Sequence, residues 1–319
     1  MKKTVDLIVP CYNEGPGLRM FYQVTAEEIA QIDGYSFRFL FIDDGSSDNT
    51  PKLLEELAAE HPEVQYLSFS RNFGKEAGIF AGLKNSSADY TVVIDADLQH
   101  PPSLIRPMLE AVDQEGYDSC SARRVSRKGE PRIRSFFARS FYKLINKMSD
   151  VEIVDGAVDY RMMNRRMVSA ILQLSEVHRF TKGIFAWVGF RTKWIEFKNV
   201  ERIAGETKWS FWKLVRYAVG GIVAFTTAPL RFAAFAGAAF SLLSLLLFVY
   251  ELAAMVFTGG GGFNYQSVTL IVLLLLGGIV LLVCGIMGEY IAGLYVETKK
   301  RPVYIEKCST IRNEDRVND

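Results

Sequence analysis

Cysteine is scarce in this sequence and is not arranged for disulfide bonding. The 319 residues contain four cysteines, which are widely separated and form no C-x-x-C pair. One of them, Cys284, lies inside a long apolar run. This distribution argues against a disulfide-stapled secreted domain and predicts free thiols that face a reducing compartment.

The chain also lacks an excess of charge, and its first residues do not have the pattern of a signal peptide. Its 37 Lys and Arg residues nearly balance its 36 Asp and Glu residues, so the net charge of +1 gives no general attraction to nucleic acid. The apolar run after Lys3 is interrupted by Asp6 and stopped by Pro10, which indicates a strand rather than a signal peptide. By contrast, a hydrophobic content of 49% is high for a soluble protein and predicts a membrane segment.

The first third of the chain alternates between apolar strands and segments with helical spacing. Strands are predicted at 5–10, 37–42, 64–70 and 90–94, and helices at about 17–32, 51–61 and 75–83. This βαβ alternation predicts an α/β domain with a mainly parallel sheet.

Polar residues follow each predicted strand at the point where the strand ends. The four segments run from Pro10 to Glu14, from Asp43 to Asp48, from Arg71 to Lys75, and from Asp95 to Asp97. Ordinary turn chemistry and helix capping explain any one of these segments, but they explain all four together poorly. Because ligands of open α/β sheets bind beyond the carboxyl ends of the strands, the four segments predict one shared site.

Asp95 and Asp97 form a D-x-D pair directly after the fourth strand. Mg²⁺ and Mn²⁺ take one or two carboxylates and complete their coordination shell with waters and substrate phosphates. A D-x-D pair on its own more often merely ends a strand, because short motifs frequently match by chance. In company with the other three segments, the pair predicts a site for a divalent metal ion and a diphosphate.

Together, the four segments resemble the nucleotide-sugar domain of family 2 glycosyltransferases, which has the GT-A fold, a Rossmann-like architecture. The resemblance implies that the first two segments hold the nucleoside and that the D-x-D segment holds the metal ion and the sugar diphosphate. It implies that the nucleoside is bound by Pro10, Tyr12, Glu14, Asp43 and Asp44. It implies that the metal ion and the sugar diphosphate are bound by Asp95, Asp97 and Gln99. Lys75 and Arg71 are further candidates for donor binding.

Later motifs narrow the resemblance to the subgroup that transfers sugar to polyprenyl phosphate, which includes dolichyl-phosphate mannose synthases and bactoprenyl-phosphate glucosyltransferases. These motifs are Asp155 to Arg161, Val177 to Gly183, Ala186 to Phe190, and Arg202 to Lys208. The Q-x-x-R-W motif of processive polysaccharide synthases is absent from the sequence. The resemblance implies that Asp159 acts with Asp95 and Asp97 at the reacting centre. It also implies that donor or acceptor phosphates are held by Arg123, Arg134, Arg202 and Lys208.

A basic segment at 116–147 has an amphipathic pattern. Arg139, Lys143 and Lys147 recur every four residues beside an apolar stripe. This pattern predicts a helix at the membrane interface or in contact with lipid phosphates, with a plain surface helix as the alternative. Interleaved aromatic and basic residues at 208–217 predict a second interfacial belt, and nucleic-acid stacking is the weaker alternative.

Two apolar runs, 232–257 and 268–287, are each long enough to cross about 30 Å of hydrocarbon as a helix. Arg231 precedes the pair and Lys299 to Arg301 follow it, whereas 258–266 has no Lys or Arg. The positive-inside rule therefore places both flanks in the cytosol. We expect a cytosolic domain at 1–225, a transmembrane hairpin at 226–295 and a cytosolic tail at 296–319, which is disordered from Cys308 onward.

The sequence thus predicts an inverting hexosyltransferase of the inner (plasma) membrane that depends on Mg²⁺ or Mn²⁺. The expected donor is a nucleotide diphosphate sugar, with UDP-glucose favoured, and the expected acceptor is polyprenyl (undecaprenyl) phosphate for cell-envelope glycosylation. The alternatives are a GDP-mannose-dependent synthase of the dolichyl-phosphate-mannose type and a transferase acting on another membrane lipid or a polysaccharide. A non-enzymatic nucleotide-binding scaffold is disfavoured. The lipid bilayer is an expected partner and a homo-oligomer is compatible with the sequence, whereas nucleic acid is not expected to bind.

Overall fold

The computed structural model describes residues 2–125, most positions of 154–197, individual positions between 227 and 249, and residues 265–311. Its strands form one eight-stranded sheet. They are β1 (Lys3–Cys11), β2 (Tyr35–Asp43), β3 (Val64–Phe69), β4 (Tyr90–Val93), β5 (Ser119–Arg124), β6 (Ala157–Asn164), β7 (Thr192–Phe197) and β8 (Glu306–Ser309). The helices are α1 (Gly15–Ala30), α2 (Thr50–Glu60), α3 (Lys75–Asn85), α4 (Ile105–Asp113), α5 (Arg165–Leu172), α6 (Thr181–Trp187) and α7 (Tyr265–Thr298).

The first third of the chain folds as its sequence pattern predicts. The four predicted strands and three predicted helices correspond to β1–β4 and α1–α3, with ends that agree to within two residues. Most aromatic and β-branched residues of these strands are buried on both faces of the sheet, which explains why each strand is a nearly continuous apolar run. Pro51 lies in the first turn of α2, where its missing N–H costs no helical hydrogen bond.

The sheet is mixed: four of its seven strand pairings are parallel, so the prediction of a mainly parallel sheet holds for the central strands and for β5 with β7, but not for the pairings of β6 and β8. The strand order is β7-β5-β6-β4-β1-β2-β3-β8. The central strands β4, β1, β2 and β3 are parallel, but β6 is antiparallel to both β4 and β5, and β8 is antiparallel to β3. The strand pattern of a sequence reports burial rather than direction, which explains why the reversal at β6 was not foreseen.

Two hydrophobic cores cover the two faces of the sheet. One contains α1, α2 and α4, and the other contains α3, α5 and α6. Along β1, the side chains of Leu7 and Val9 belong to the first core, whereas Ile8 belongs to the second. This alternation is what the two-residue repeat of a strand requires. The helices thus leave the rim of the sheet, rather than its faces, for a ligand.

One helix of the described chain is long and apolar enough to cross a membrane. Within α7, the segment Leu275–Thr298 is predominantly apolar and is not buried against the rest of the protein. This segment overlaps the second predicted span and extends beyond it. The first predicted span, 232–257, lies largely outside the described residues, although helical positions described there include the exposed Phe235, Leu242 and Leu246.

The segment after α7 returns to the sheet, so the prediction of a disordered tail from Cys308 onward is wrong for its first residues. Strand β8 pairs with β3, and Thr310 donates its backbone N–H to the Tyr66 carbonyl at 2.9 Å. The ring of Tyr304 stacks on Phe69 at a centroid distance of 4.8 Å. Residues 312–319 lie outside the described part of the chain. The segments before and after α7 therefore contribute to one folded unit.

Candidate active site

The parallel strands bring three of the predicted segments to one rim of the sheet. Cys11 at the end of β1 pairs with Asp43 at the end of β2, and Asp43 pairs with Ser68 near the end of β3. The three polar segments include these residues or follow them within three positions. Pro10, Tyr12, Glu14, Asp97 and Gln99 are all partly exposed along the rim.

Asn13 ties the segment after β1 to the segment after β2. Its side-chain oxygen accepts the backbone N–H of Ser47 at 2.8 Å, and its own backbone N–H donates to Ser46 Oγ at 2.9 Å. Asn13 has a φ of 54°, a left-handed conformation that asparagine tolerates better than most residues. Asp43 supports the same turn, because its Oδ1 accepts the Ser46 N–H at 3.0 Å. The two segments therefore form a single joined rim.

Gly45 lets the second segment pass close to the third. It has a φ of +64°, and a Cβ atom there would lie 2.7 Å from the carbonyl oxygen of Arg71 and 2.8 Å from its Cα. Only glycine avoids both the backbone strain and this overlap. The Arg71 guanidinium lies 4.0 Å from the centroid of the Phe73 ring and donates to the carbonyl of Asn72 at 3.0 Å.

The buried side chain of Asp44 holds the third segment in place. Its carboxylate accepts the backbone N–H of Phe73 at 2.6 Å and that of Gly74 at 2.9 Å. Burial raises the pKa of Asp44 to about 6, because the loss of hydration outweighs the two N–H donors. These bonds fix the backbone immediately before α3. The predicted contact of Asp44 with the nucleoside stays a prediction.

Lys75, the first residue of α3, joins two carboxylates that are far apart in the sequence. Its Nζ lies 2.7 Å from Oδ1 of Asp95 and 2.6 Å from Oδ2 of Asp159. Asp95 follows β4, whereas Asp159 lies on β6, which pairs with β4. The structure thus brings together the D-x-D segment and the acid that resemblance places at the reacting centre.

The electrostatics of this cluster stabilise its charged forms. Burial alone would lower the pKa of Lys75, but the nearby Asp159 and Asp95 carboxylates outweigh it and raise that pKa. Burial would likewise raise the pKa of Asp159, yet the positive charge of Lys75 holds it well below its usual range. Both groups are therefore ionised at neutral pH. Asp159 is consequently a poor proton acceptor.

The D-x-D turn has a strained backbone. Oδ1 of Asp97 accepts the N–H of Gln99 at 3.1 Å. Leu98 between them is buried and has a φ of 55°, a region that costs a non-glycine residue on the order of 1–3 kcal/mol. Such strain is common at functional sites, because a defined side-chain placement compensates for it.

The donor set at this turn fits a divalent ion that binds together with a phosphate ligand. Within the described ranges, no group of three or more His, Cys, Asp or Glu side chains is arranged to hold a metal ion. Asp95 is engaged by Lys75, and Asp97 and Gln99 are partly exposed beside it. Mg²⁺ needs only one or two protein carboxylates when substrate phosphates and waters supply the remaining oxygens. These residues alone do not complete the coordination shell of a metal ion.

His100 lies buried behind Asp95. Its Nδ1 is 3.7 Å from Oδ2 of Asp95, and its ring stacks on Tyr160 at a centroid distance of 5.5 Å. Burial lowers the pKa of His100, although the Asp95 charge acts in the opposite direction. The imidazole is therefore neutral at neutral pH. His100 is not among the site residues predicted from the sequence.

Of the predicted phosphate-binding cations, the structure describes Arg123. It lies on β5, is partly exposed, and has its guanidinium 3.9 Å from Oε1 of Glu196 on β7. Arg134, Arg202 and Lys208 lie outside the described residues, as do positions 126–147 of the basic segment and the second interfacial segment, 208–217. Their phosphate contacts stay predictions.

Arg161 is a buried cation that sequence reasoning missed. It lies two residues after Asp159 on β6, with its guanidinium 3.9 Å from the centroid of the Phe185 ring and one nitrogen 3.2 Å from Ser121 Oγ. Burial lowers the pKa of Arg161 to about 10, so the group is still charged at neutral pH. Residues two apart on a strand share a face, so Arg161 adds positive charge on the side of Asp159.

The start of α3 is also bonded to α6. Glu76 accepts both the backbone N–H of Thr181, at 2.9 Å, and the Thr181 hydroxyl. Thr181 is the first residue of α6, where a carboxylate satisfies a free N–H and interacts favourably with the helix dipole. No sequence pattern joins these residues, because they are 105 positions apart.

The last turn of α7 is bonded to the loop that leads into α6. Both carboxylate oxygens of Glu297 accept the backbone N–H of Val177, at 3.0 and 3.1 Å. Arg179 on the same loop donates to the Leu174 carbonyl at 2.8 Å and covers the Phe80 ring of α3 at 4.5 Å. A continuous set of contacts thus runs from the apolar helix to the helix that carries Lys75.

Comparisons with known proteins agree with these observations. The family model for glycosyl transferase family 2 matches residues 6–172. CsbB of Bacillus subtilis, named as a glycosyltransferase, is 41% identical over 311 residues, which are 98% of this chain and 93% of CsbB. A prophage bactoprenol glucosyl transferase homologue of Escherichia coli is 39% identical over 303 residues, which are 95% of this chain and 98% of that protein.

Among solved structures, the mannosyltransferase PcManGT from Pyrobaculum calidifontis, in complex with GDP-Man and Mn²⁺, aligns with a TM-score of 0.48. It is 18% identical, and the alignment covers 93% of this chain and 85% of that chain. The two sequence relatives match nearly their full length, so the likeness extends past residue 172 into the apolar C-terminal part.

Proposed function

The chain belongs to glycosyl transferase family 2, and we propose that it transfers a hexose from a nucleotide diphosphate sugar to a polyprenyl phosphate. Glucose and UDP are the favoured sugar and nucleotide. The relative named as a bactoprenol glucosyl transferase homologue supports both the acceptor and the sugar. The observation that carries the proposal is the bridge from Lys75 to Asp95 and Asp159, because it links the D-x-D segment to a second acid at the same rim.

The nucleoside of the donor binds, in this proposal, along the joined rim formed by the segments after β1 and β2. Tyr12 offers an aromatic face there, and Glu14 and Asp43 offer oxygens to base and ribose. Asp44 contributes indirectly, because its carboxylate already accepts hydrogen bonds from the Phe73 and Gly74 amides. Its function is to fix the loop that starts α3 and thereby to place Lys75.

The sugar diphosphate binds beside the D-x-D turn. Asp95, Asp97 and Gln99 would hold Mg²⁺ or Mn²⁺, which supplies positive charge against the charge that builds on the departing diphosphate. Lys75 stands next to Asp95 and supplies a second positive charge at the same place. These residues orient the anomeric carbon with its leaving group pointing toward the D-x-D segment.

The acceptor needs positioning more than deprotonation. The second pKa of a phosphate monoester is about 6, so its oxygens are largely ionised at neutral pH. One such oxygen forms a bond to the anomeric carbon while the bond from that carbon to the diphosphate breaks, which inverts the centre without a covalent enzyme intermediate. The ionised Asp159 is suited to orienting Lys75, and no proton has to be removed. Arg123, with Arg134, Arg202 and Lys208, offsets the repulsion between the two phosphate groups.

The path of the chain supports a membrane location with two crossings. The residues of β1–β7 and those of β8 belong to one sheet, so they lie on the same side of any membrane. If α7 crosses that membrane, another crossing between residues 197 and 265 is required to return the chain. The predicted first span at 232–257 meets this requirement. A cytosolic sheet would then face both the nucleotide sugar and the lipid phosphate.

The test is a transfer assay with the full-length chain in lipid nanodiscs. Radiolabelled UDP-glucose and GDP-mannose are each offered with a short-chain polyprenyl phosphate, with diacylglycerol or with a polysaccharide. We expect label in the polyprenyl phosphate fraction from UDP-glucose, and loss of that label on chelation and in Asp97→Asn. Asp33→Asn, which changes an exposed carboxylate in the turn after α1, is the matched control. Labelling of diacylglycerol or polysaccharide instead of polyprenyl phosphate overturns the proposal.

A further inference from the structure

His100 has a buried ring nitrogen that lacks a hydrogen-bond partner in the described part of the chain. This atom, Nδ1, is closed to solvent and lies 3.7 Å from Oδ2 of Asp95. Hydrogen bonds from N–H to oxygen measure about 2.7–3.2 Å, so the present contact is too long to be one. A buried polar atom without a partner is destabilising, because it has lost its hydration without gaining a hydrogen bond. The arrangement indicates that another state of the site supplies the missing partner.

The imidazole ring is fixed by its surroundings. Tyr160 stacks on it with an interplanar angle of 25°, and Phe197 meets it edge-on at a centroid distance of 5.6 Å. Tyr160 is itself held, because its hydroxyl donates to the Pro101 carbonyl at 3.2 Å. The gap between His100 and Asp95 therefore closes by a movement of the Asp95 carboxylate rather than of the ring.

Asp95 lies between two partners that differ in access to solvent. Lys75, with its side chain 36% exposed, contacts both carboxylate oxygens at 2.7 and 3.0 Å. The side chain of His100, on the other side, is 5% exposed. A cation that arrives with a diphosphate comes from the accessible side. It therefore competes with Lys75 for Asp95 and leaves the buried side to His100.

We infer that His100 is a positioning residue for Asp95, whose Oδ2 accepts a hydrogen bond from His100 Nδ1 once Lys75 releases that carboxylate. The inference rests on the proposed function, because a bound divalent ion and diphosphate are what displace Lys75. Carboxylates that bind metal ions are generally held by a hydrogen bond from behind, which fixes their orientation toward the ion. His100 occupies that place, and the strained turn through Leu98 leads directly to it.

The experiment measures Mn²⁺ binding rather than turnover, with the full-length chain in nanodiscs. Free Mn²⁺ is followed by electron paramagnetic resonance, with Mn²⁺ alone and with Mn²⁺ plus UDP. His100→Phe keeps an aromatic ring against Tyr160 but removes Nδ1, whereas His100→Asn places an amide nitrogen near the position of Nδ1. We expect His100→Phe to weaken Mn²⁺ binding by about 10- to 100-fold and His100→Asn to weaken it by less than about 10-fold. The melting temperature of His100→Phe without ligand is expected to equal or exceed that of the unsubstituted protein.

Two outcomes overturn the inference while leaving the proposed function intact. One is unchanged Mn²⁺ affinity in His100→Phe, and the other is an equal loss in both variants, which would indicate a packing role for the ring. Failure of the unsubstituted protein to bind Mn²⁺ with or without UDP overturns the metal of the proposed function and this inference together. If His100→Phe does not fold, ¹⁵N-histidine labelling of the unsubstituted protein decides. A new solvent-protected Nδ1–H resonance on addition of Mg²⁺ and UDP supports the bond, and its absence overturns it.

Discussion

The Nζ atom of Lys75 lies 2.6 Å from Oδ2 of Asp159, although the two residues are 84 positions apart in the chain. The same atom contacts Asp95, so one lysine neutralises acids delivered by two neighbouring strands. This arrangement makes the start of α3 the point on which the geometry of the site depends.

Lys75→Met is expected to reduce kcat/KM for sugar transfer by about 100-fold or more, which corresponds to roughly 3 kcal/mol for the loss of a charge-assisted contact in a shielded site. The physical reason is that Asp95 and Asp159 lose their shared cation before the donor binds, and that the bound diphosphate loses a nearby positive charge. Lys75→Arg is expected to recover part of the activity, because it restores the charge with a different geometry. Lys84→Met, which changes an exposed lysine in the last turn of the same helix, is the control. Activity of Lys75→Met within about threefold of the control would contradict this role.

Gly45→Ala is expected to lower both the melting temperature and the affinity for the nucleotide donor. A Cβ atom at residue 45 would overlap the Arg71 backbone at a φ of +64°, so the loops after β2 and β3 must move apart. Gly116→Ala separates strain from overlap, because Gly116 has a φ of +75° with no atom within 4 Å of the added Cβ. The control is expected to lose on the order of 1 kcal/mol of stability and no donor affinity. Equal donor affinity in the two variants would show that the close approach is unimportant for binding.

Sequence reasoning succeeded where the chemistry is local. The ends of β1–β4 and the polar segments that follow them could be located from apolar runs and turn residues alone. The D-x-D pair at Asp95 was also found in this way, because it directly ends a strand.

The contacts that complete the site could not be predicted, because they join residues that no periodic pattern connects. Asp159 meets Lys75 only after β6 inserts antiparallel between β4 and β5, and strand direction leaves no trace in a hydrophobic pattern. Glu76 and Thr181 likewise meet only in the folded chain. His100 was missed because a histidine beside a proline pair is indistinguishable from a turn residue in sequence. Its burial comes from Tyr160 and Phe197 on distant strands.

Asp44 is expected to make the folded protein less stable as pH rises, whereas an acid in a salt bridge has the opposite effect. Burial raises its pKa to about 6 in the folded protein from 3.8, so the folded state binds this proton more tightly than the unfolded state. Stability from this group is therefore present below about pH 4 and falls as pH rises through 6, by on the order of 3 kcal/mol at most. Melting temperatures of the parent and Asp44→Asn between pH 4.5 and 7.5 are the measurement. The melting temperature of the parent is expected to rise relative to that of Asp44→Asn as pH falls. Parallel curves of melting temperature against pH would contradict the raised pKa of Asp44.

Glu297→Ala is expected to reduce sugar transfer without changing Mn²⁺ binding. The carboxylate of Glu297 holds the Val177 N–H, and this loop leads to Thr181, which is bonded to Glu76 beside Lys75. Loss of the contact frees the loop from α7, so we expect a several-fold fall in kcat with the acceptor lipid. Glu176→Gln removes one charge from the exposed side of the same loop and is the control. A matching fall in the control would point to loop charge rather than to the link with α7.

The last prediction concerns topology and depends on the position of β8. Because β8 pairs with β3, Cys308 and the sheet must lie on the same side of the membrane, whereas Tyr265 at the start of α7 lies on the other side if α7 spans it.

The natural cysteines suit the test, since Cys308 is exposed and Cys11 and Cys120 are buried. With Cys284 replaced by Ser, a membrane-impermeant maleimide applied to intact cells is expected to label Tyr265→Cys at once. Cys308 is expected to react only after the cells are permeabilised. Labelling of Cys308 in intact cells would place the sheet outside, away from cytosolic nucleotide sugars, and labelling of neither site before permeabilisation would show that α7 does not cross.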